Sequence, residues 1–321
     1  MIKKIEKFFI ENGIEKNEAK AEANLIVCEI SGMTIESILS GKKIQNEDEI
    51  WNIARQRVET RAPIQHILGF AYFMGDKFFV NENVLIPRPE TELLVSKTVE
   101  IAKKVRGFKQ TEIMQNAAKL DTRKVTKDAI SQRSPKEPDK NKITNTDKKQ
   151  AETLTILDIG AGSGCIGIEI SKLLEFDKDI EIMGVDISIN ALHTAIKNME
   201  NHGAQRRVVF RKSDIFSDLR PMDKFNIIVS NPPYIPLPDK ENLQNEVKNF
   251  EPHLALFAKD KDGIEFYEQI LKDAKKHLKT PGYVLFELGI NQAEKVVNIA
   301  QEYGFKLEFI EKDLSEIERV I

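Results

Sequence analysis

Cysteine is nearly absent. Cys28 and Cys165 are the only two in 321 residues, which leaves no disulfide framework and no thiolate metal spacing. Tryptophan occurs once, and the five histidines are scattered with none at ligand spacing from Cys or Glu, so no metal is expected. Long hydrophobic runs are missing too. No stretch reaches the roughly 20 apolar residues of a membrane span, and no membrane partner is expected. Charge of one sign is also lacking: 48 Lys and Arg face 51 Asp and Glu, a formal net charge of −3. That balance argues against broad electrostatic binding of nucleic acid. The opening Met1–Phe8 reads as an amphipathic helix. A signal peptide would need a longer apolar segment and a small-residue cleavage site, so a reducing cytoplasm is the expected location.

What is present is a 41% hydrophobic chain long enough for one large domain or two modest ones. Residues 1–75 read as a helical bundle, with apolar residues at helical spacing in Ala19–Val27 and around Ile50, Trp51, Ile53 and Ala54. Gly13, Gly32 and Gly41 are expected helix stops. Residues 76–92 are expected to connect this bundle to the rest, with a hairpin in Tyr72–Val80 and then Ile86-Pro87-Arg88-Pro89-Glu90-Thr91-Glu92, where Glu90 or Thr91 is expected to cap a helix running to about Val105. Residues 107–152 differ in kind. From Arg106 to Gln150, 12 Lys or Arg face six Asp or Glu with almost no aromatics, a composition that buries too little apolar surface to fold alone. It is expected to be a disordered surface insertion, with an RNA or ribosome tether as the sharper alternative.

Residues 93–321 are expected to form the second domain, an α/β fold. From Thr153 the pattern alternates strand and helix, with strands at 154–159, 181–186, 207–211, 225–230, 283–288, 306–310 and 318–321. Such alternation implies a doubly wound, mostly parallel sheet whose ligands lie at the carboxyl ends of its strands. The first strand ends in Leu157-Asp158-Ile159-Gly160-Ala161-Gly162-Ser163-Gly164-Cys165. Glycines between a strand and a helix let a ligand approach the backbone amides. A dinucleotide fingerprint would place its third glycine at position 165. Glycines at 160, 162 and 164 with an acid two residues before resemble motif I of class I S-adenosylmethionine-dependent methyltransferases instead. Asp158, Gly160, Ala161, Gly162, Ser163 and Gly164 are thus candidate cofactor contacts, Asp158 either directly or by orienting the loop. Asp186, ending the second strand, is a candidate acceptor for ribose hydroxyls, with helix capping as the alternative. Asp214 and Ile215, after the third strand, are candidates for the adenine edge and face.

The fourth strand, Phe225–Ser230, runs into Asn231-Pro232-Pro233-Tyr234. Each proline fixes its own φ and restricts the residue before it, so the loop is stiff. The Asn231 oxygen and the loop carbonyls are suited to accept hydrogens from a planar NH2 group, and Tyr234 to pack on its plane. Asn231 is also a candidate cofactor contact.

Read with Gln65-His66-Ile67-Leu68-Gly69, the Pro87–Glu92 segment and Phe250-Glu251-Pro252, this tetrad resembles the HemK/PrmC family of peptide chain release factor N(5)-glutamine methyltransferases. The resemblance covers the chain apart from about 107–152. It implies a small helical domain that docks a class I release factor, and a Rossmann-like domain with a seven-stranded sheet. It also implies transfer of the methyl of S-adenosylmethionine to the glutamine of a Gly-Gly-Gln loop, leaving S-adenosylhomocysteine, without a metal. Asn231, Pro232, Pro233 and Tyr234 would be the catalytic and substrate-binding residues, with Arg88 and Glu90 shaping the floor between the domains. A monomer is expected. The chain stops at Glu318-Arg319-Val320-Ile321, partway through the last expected strand, which suggests truncation or a longer fusion. Two other functions stay open: an adenine-N(6) methyltransferase on DNA or RNA, in which the same tetrad holds a flipped adenine, and a noncatalytic RNA- or ribosome-binding module.

Overall fold

A computed structural model describes residues 1–107 and 152–321; the expectations for the basic insertion fall almost wholly outside them. Five helices open the chain: α1 Ile2–Glu11, α2 Lys16–Ser31, α3 Ile35–Leu39, α4 Glu47–Thr60 and α5 Ile64–Leu68. Apolar residues one turn apart, Ile5 and Phe9 on α1 and Ala19, Ala23, Ile26 and Val27 on α2, meet Ile50 and Ala54 of α4 in a buried core. Gly13, Gly32 and Gly41 follow α1, α2 and α3 with positive φ, as expected of helix stops. Arg57 on α4 is fully buried. It donates through Nε to both Glu22 oxygens at 3.0 and 3.1 Å, through Nη2 to Glu18 at 3.0 Å, and through Nη1 to Glu246 at 3.2 Å.

A hairpin of β1 Phe70–Phe73 and β2 Asp76–Phe79 follows. It begins earlier than the boundary expected at residue 75, which cuts through its turn. Phe73 and Phe78 pack into the core on one face of the main sheet, so the hairpin is structurally part of the sheet's layer. Residues 84–86, which follow the hairpin, form no strand. Helix α6 spans Thr91–Val105, with Glu90 at its N-cap position and no side-chain cap.

The main sheet contains β3 Leu154–Ile159, β4 Ile180–Asp186, β5 Val208–Lys212, β6 Phe225–Ser230 and β9 Leu278–Phe286, all parallel, in the order β5-β4-β3-β6-β9. β3 and β6 are almost continuously apolar because both faces of a central parallel strand are covered. One face packs on α6 and the helix Cys165–Leu173, the other on the helices Glu265–His277 and Ala293–Glu302. This doubly wound arrangement is the expected α/β, Rossmann-like class.

The strand count needs a correction. Among the described residues the continuous ladder has five strands rather than seven, and residues 306–310 are not a strand. The C-terminal segment instead forms a short hairpin of β10 Glu311–Lys312 and β11 Glu318–Val320. Its end lies antiparallel to the end of β9, with Phe286 and Ile321 exchanging hydrogen bonds at 3.0 and 3.1 Å. Two-residue strands β7 Ile235–Pro236 and β8 Phe257–Ala258 pair and clasp the base of an excursion after β6. That excursion holds a 3-10 turn and the short helices Asn245–Phe250 and His253–Leu256, and it carries Glu246 to Arg57.

Removing one partner of a buried ion pair leaves the other charge uncompensated. Arg57→Met should therefore lower stability by about 3 kcal/mol or more. Urea unfolding measures this, and a midpoint equal to wild type would show that the network contributes nothing.

Candidate active site

The register of β3 against β6 sets the site. Ile159 lies opposite Ser230, and Ser230 Oγ donates to the Ile159 carbonyl at 2.7 Å. The next residues, Gly160 and Asn231, therefore leave the sheet side by side. The Gly160 and Ala161 amides donate to the Val185 carbonyl of β4 at 2.9 and 3.0 Å, which turns the glycine loop over the sheet edge. Gly160, Gly162 and Gly164 all have positive φ. At Gly164 a side chain would also meet the Phe210 ring at 2.7 Å, so this glycine serves packing below the loop. Asn198, fully buried, donates to the Ser163 carbonyl at 2.8 Å and to Phe79 O at 3.0 Å, tying the loop to the hairpin.

A cleft opens above this edge. Of the expected residues it is lined by Gly160, Gly162, Asp186, Asp214, Ile215, Asn231, Pro232 and Pro233, with Phe266 and Ile270 on its apolar side. Asp186 Oδ2 accepts from the Gly162 amide at 2.9 Å, and Oδ1 from the Ser188 amide at 2.8 Å. Burial pushes its carboxyl above the usual range against these hydrogen bonds. Ser188, not Asp186, caps the following helix through the Ala191 amide. Asp214 is exposed, and Ile215 beside it has φ 53°, a left-handed conformation that is a genuine outlier for a β-branched residue. Among the described residues the charged groups lining the cleft are Asp186 and Asp214, with no Lys or Arg. Such a lining suits a cationic ligand and does not suit a pyrophosphate.

Asp158, Ala161, Ser163 and Gly164 do not line the cleft. Asp158 is fully buried, with Oδ2 accepting from the Gly167 amide at 3.2 Å and Oδ1 without a partner among the described residues. Of its two expected roles, the geometry favours orienting the loop. Burial pushes its carboxyl up to about 7. Tyr234 also departs from expectation. It is partly buried against the core cluster that includes Tyr267 and Phe286, its hydroxyl donates to Glu287 at 3.4 Å, and it is not among the cleft-lining residues. Its carbonyl accepts from Gln292 at 2.9 Å.

Arg88 pairs with the buried Glu251, whose other oxygen accepts from the Ile86 amide at 3.1 Å. The expected segments 86–92 and 250–252 therefore meet, while Glu90 is exposed. Thr91 does not cap α6. Its hydroxyl donates to Glu287 Oε2 at 2.6 Å and accepts from Asn231 Nδ2 at 3.2 Å. Among the described residues no group of three or more His, Cys, Asp or Glu is arranged to hold a metal.

With this geometry in view, the relatives become informative. A methyltransferase-domain family model matches residues 150–302. The release factor glutamine methyltransferase of Leptospira interrogans is 31% identical over 326 residues, covering 100% of this chain and 96% of its own length. The chain belongs to the release factor glutamine methyltransferase family. The Flavobacterium psychrophilum member is 32% identical over 271 residues, 84% of this chain and 78% of that one. A bifunctional methyltransferase of Rickettsia typhi is 32% identical over 313 residues, 97% of this chain but 54% of the relative; the chain thus spans about half of that protein's length.

Three residues tied to the loops of the cleft went unnoticed in the sequence, Glu287, Asn198 and Gln292, and Thr91 was read only as a helix cap. Glu287 had a legible signal, a carboxylate in the apolar run Leu285-Phe286-Glu287-Leu288 at a strand's carboxyl end. Asn198 and Gln292 had none, because the backbone carbonyls that their amide nitrogens meet lie 29 residues or more away in sequence.

The raised Asp158 carboxyl has a consequence for stability. The folded chain keeps that proton up to about pH 7, while the unfolded chain loses it near 3.8. Asp158 therefore costs nothing below pH 3.8, and progressively more as pH rises to 7. Wild type should lose stability relative to Asp158→Asn between pH 4 and 7, on the order of a few kcal/mol. Urea titrations of both proteins measure the difference, and a pH-independent difference contradicts the assignment.

Proposed function

We propose that this protein transfers the methyl group of S-adenosylmethionine to the side-chain nitrogen of the glutamine in the Gly-Gly-Gln loop of class I peptide chain release factors. The observation that carries this reading is Asn231. Its Nδ2 is committed to Thr91, while the residue lines the cleft and its Oδ1 has no donor among the described residues. Family membership supports the choice of a glutamine amide over a base. The cleft's acidic and apolar lining suits a sulfonium cofactor. Asp186 would hold the ribose hydroxyls, and Asp214 with Ile215 would hold the adenine.

S-adenosylmethionine supplies an electrophilic sulfonium methyl. The chain supplies geometry. A carboxamide nitrogen is a poor nucleophile because its lone pair is delocalised into the carbonyl. Asn231 Oδ1 and the Pro232 carbonyl each accept one amide hydrogen, which points the nitrogen along the transfer axis and favours its pyramidalisation. Both bonds strengthen as positive charge develops on nitrogen, so they contribute most at the transition state. The prolines keep the two acceptors fixed beforehand. The protonated product amide is acidic enough to release its proton to water. In this reading residues 1–75 dock the release factor, the Arg57–Glu246 pair holds the excursion against them, the Arg88–Glu251 pair ties it to the segment 86–92, and the enzyme acts as a monomer in the cytoplasm.

The test is labelled methyl transfer from S-adenosylmethionine to release factor, to a variant with the Gly-Gly-Gln glutamine replaced by alanine, and to DNA and RNA. Label is expected on wild-type release factor alone; label on nucleic acid instead would overturn the acceptor. Asn231→Ala should lower turnover by about 100-fold or more with cofactor affinity little changed. Asp186→Ala should weaken cofactor binding about tenfold or more by calorimetry. Unchanged affinity would remove Asp186 from the ribose site.

A further inference from the structure

We propose that Glu287, acting through Thr91, is a positioning residue that decides which end of the Asn231 amide faces the cleft. Glu287 follows β9, with its backbone amide donating to the Ser230 carbonyl at 3.0 Å, so it sits beside the residue that leads into Asn231. It is 1% exposed. Its carboxylate takes the Thr91 hydroxyl at 2.6 Å on one oxygen and the Tyr234 hydroxyl at 3.4 Å on the other.

The direction of this chain follows from counting protons. An ionised carboxylate only accepts. Thr91 has one hydroxyl proton, and it goes to Glu287. The Thr91 oxygen is left as an acceptor, and the Asn231 NH2 fills it at 3.2 Å. An amide that turns its nitrogen toward Thr91 turns its oxygen away, toward the cleft. The path runs N–H to hydroxyl to carboxylate, and each step is forced by the one below it. Thr91 and Asn231 are 140 residues apart, and Thr91 and Glu287 are 196 apart, so the polarity of the site is set by three segments that meet only in the fold.

Protonating Glu287 reverses the path. The carboxyl then donates to Thr91, Thr91 donates to Asn231 Oδ1, and the amide turns its NH2 into the cleft. Two donors then face the hydrogens of the methyl acceptor, and the arrangement is unproductive. The charged and titratable groups facing Glu287 are Glu90 at the start of α6, Arg319 on β11 and Tyr234 after β6, with the Tyr267 hydroxyl on its main-chain carbonyl at 2.9 Å. Glu90 and Arg319 act with opposite sign, and burial, the largest influence, pushes the carboxyl up to about 7. The two polarities therefore exchange near neutral pH.

The proposal rests on the reading that Asn231 Oδ1 accepts a hydrogen from an NH2-bearing acceptor, whichever acceptor that is. Its first test needs no turnover. In the 15N-labelled full chain, the Asn231 side-chain amide resonances, assigned by their loss in Asn231→Asp, should shift between about pH 6 and 8 in wild type and stay still in Glu287→Gln. Resonances that ignore pH, or move equally in both proteins, overturn the relay even if methyl transfer is robust. The second test is kinetic. Thr91→Val, which keeps shape and loses the hydroxyl, should lower kcat at least about tenfold with acceptor KM and cofactor affinity within about twofold, and Thr91→Ser should restore most of it. Wild-type kcat in Thr91→Val, or equal impairment in Thr91→Ser, overturns the proposal. Failure of wild type to label release factor would instead strike the acceptor assignment, and the resonances would still decide the relay.

Discussion

The pairing of β3 with β6 is the constraint on which the rest of the site depends. Setting Ile159 against Ser230 brings two loops that start 71 residues apart out of the sheet together. One loop is made of glycines and exposes backbone; the other is made of prolines and holds acceptors still. Neither is a site alone. A shift of register would separate Gly160 from Asn231 by a strand step of about 3.3 Å, more than hydrogen-bond geometry tolerates. The apolar burial of β3 and β6 on both faces is what makes that register hard to lose.

Around this pairing the molecule surrounds its reactive edge with buried polar groups. Asp158 holds the helix after the glycine loop through the Gly167 amide. Asn198 ties the loop to the hairpin, and Glu251 ties the Arg88 segment to the excursion after β6. Glu287 stands under Thr91 and Tyr234. Each is costly to bury, and each makes bonds to a different segment of chain. Their shared effect is to hold fixed the loops that the cleft is made of, which is what a reaction depending on orientation requires.

The legible parts were those with a local cause. β3 and β6 were read to the residue because each is a short apolar run closed by a polar turn. The helix after β3 was legible within a residue of its observed bounds, and the stops of the N-terminal helices from glycines, whereas the short helices of the excursion after β6 were not read. Residues 306–310 misled because Leu307 and Phe309 alternate like a strand, yet their backbone pairs with nothing in the sheet. Thr91 misled in the same way. Threonine beside a helix start is a good cap on local grounds, but a buried carboxylate nearly 200 positions later claims its hydroxyl. Tyr234 was placed on the acceptor's plane from its motif; in the fold it lies partly buried against the core cluster and does not line the cleft.

The sequence by itself determined the class of chemistry. A glycine loop after a strand, acids at the next strand ends, and a polar residue locked before two prolines are each written within a few consecutive residues, because backbone stiffness and side-chain hydrogen-bonding capacity are local properties. Only the tertiary structure decided how those groups face one another. Which carboxylate lines the cleft and which braces the loop depends on how the strands pair, while the uncapped start of α6 and the direction of the Asn231 amide depend on partners 196 and 140 residues away. Hydrogen-bond direction is fixed by what lies on the other side of each group, and in this chain the other side is supplied by folding.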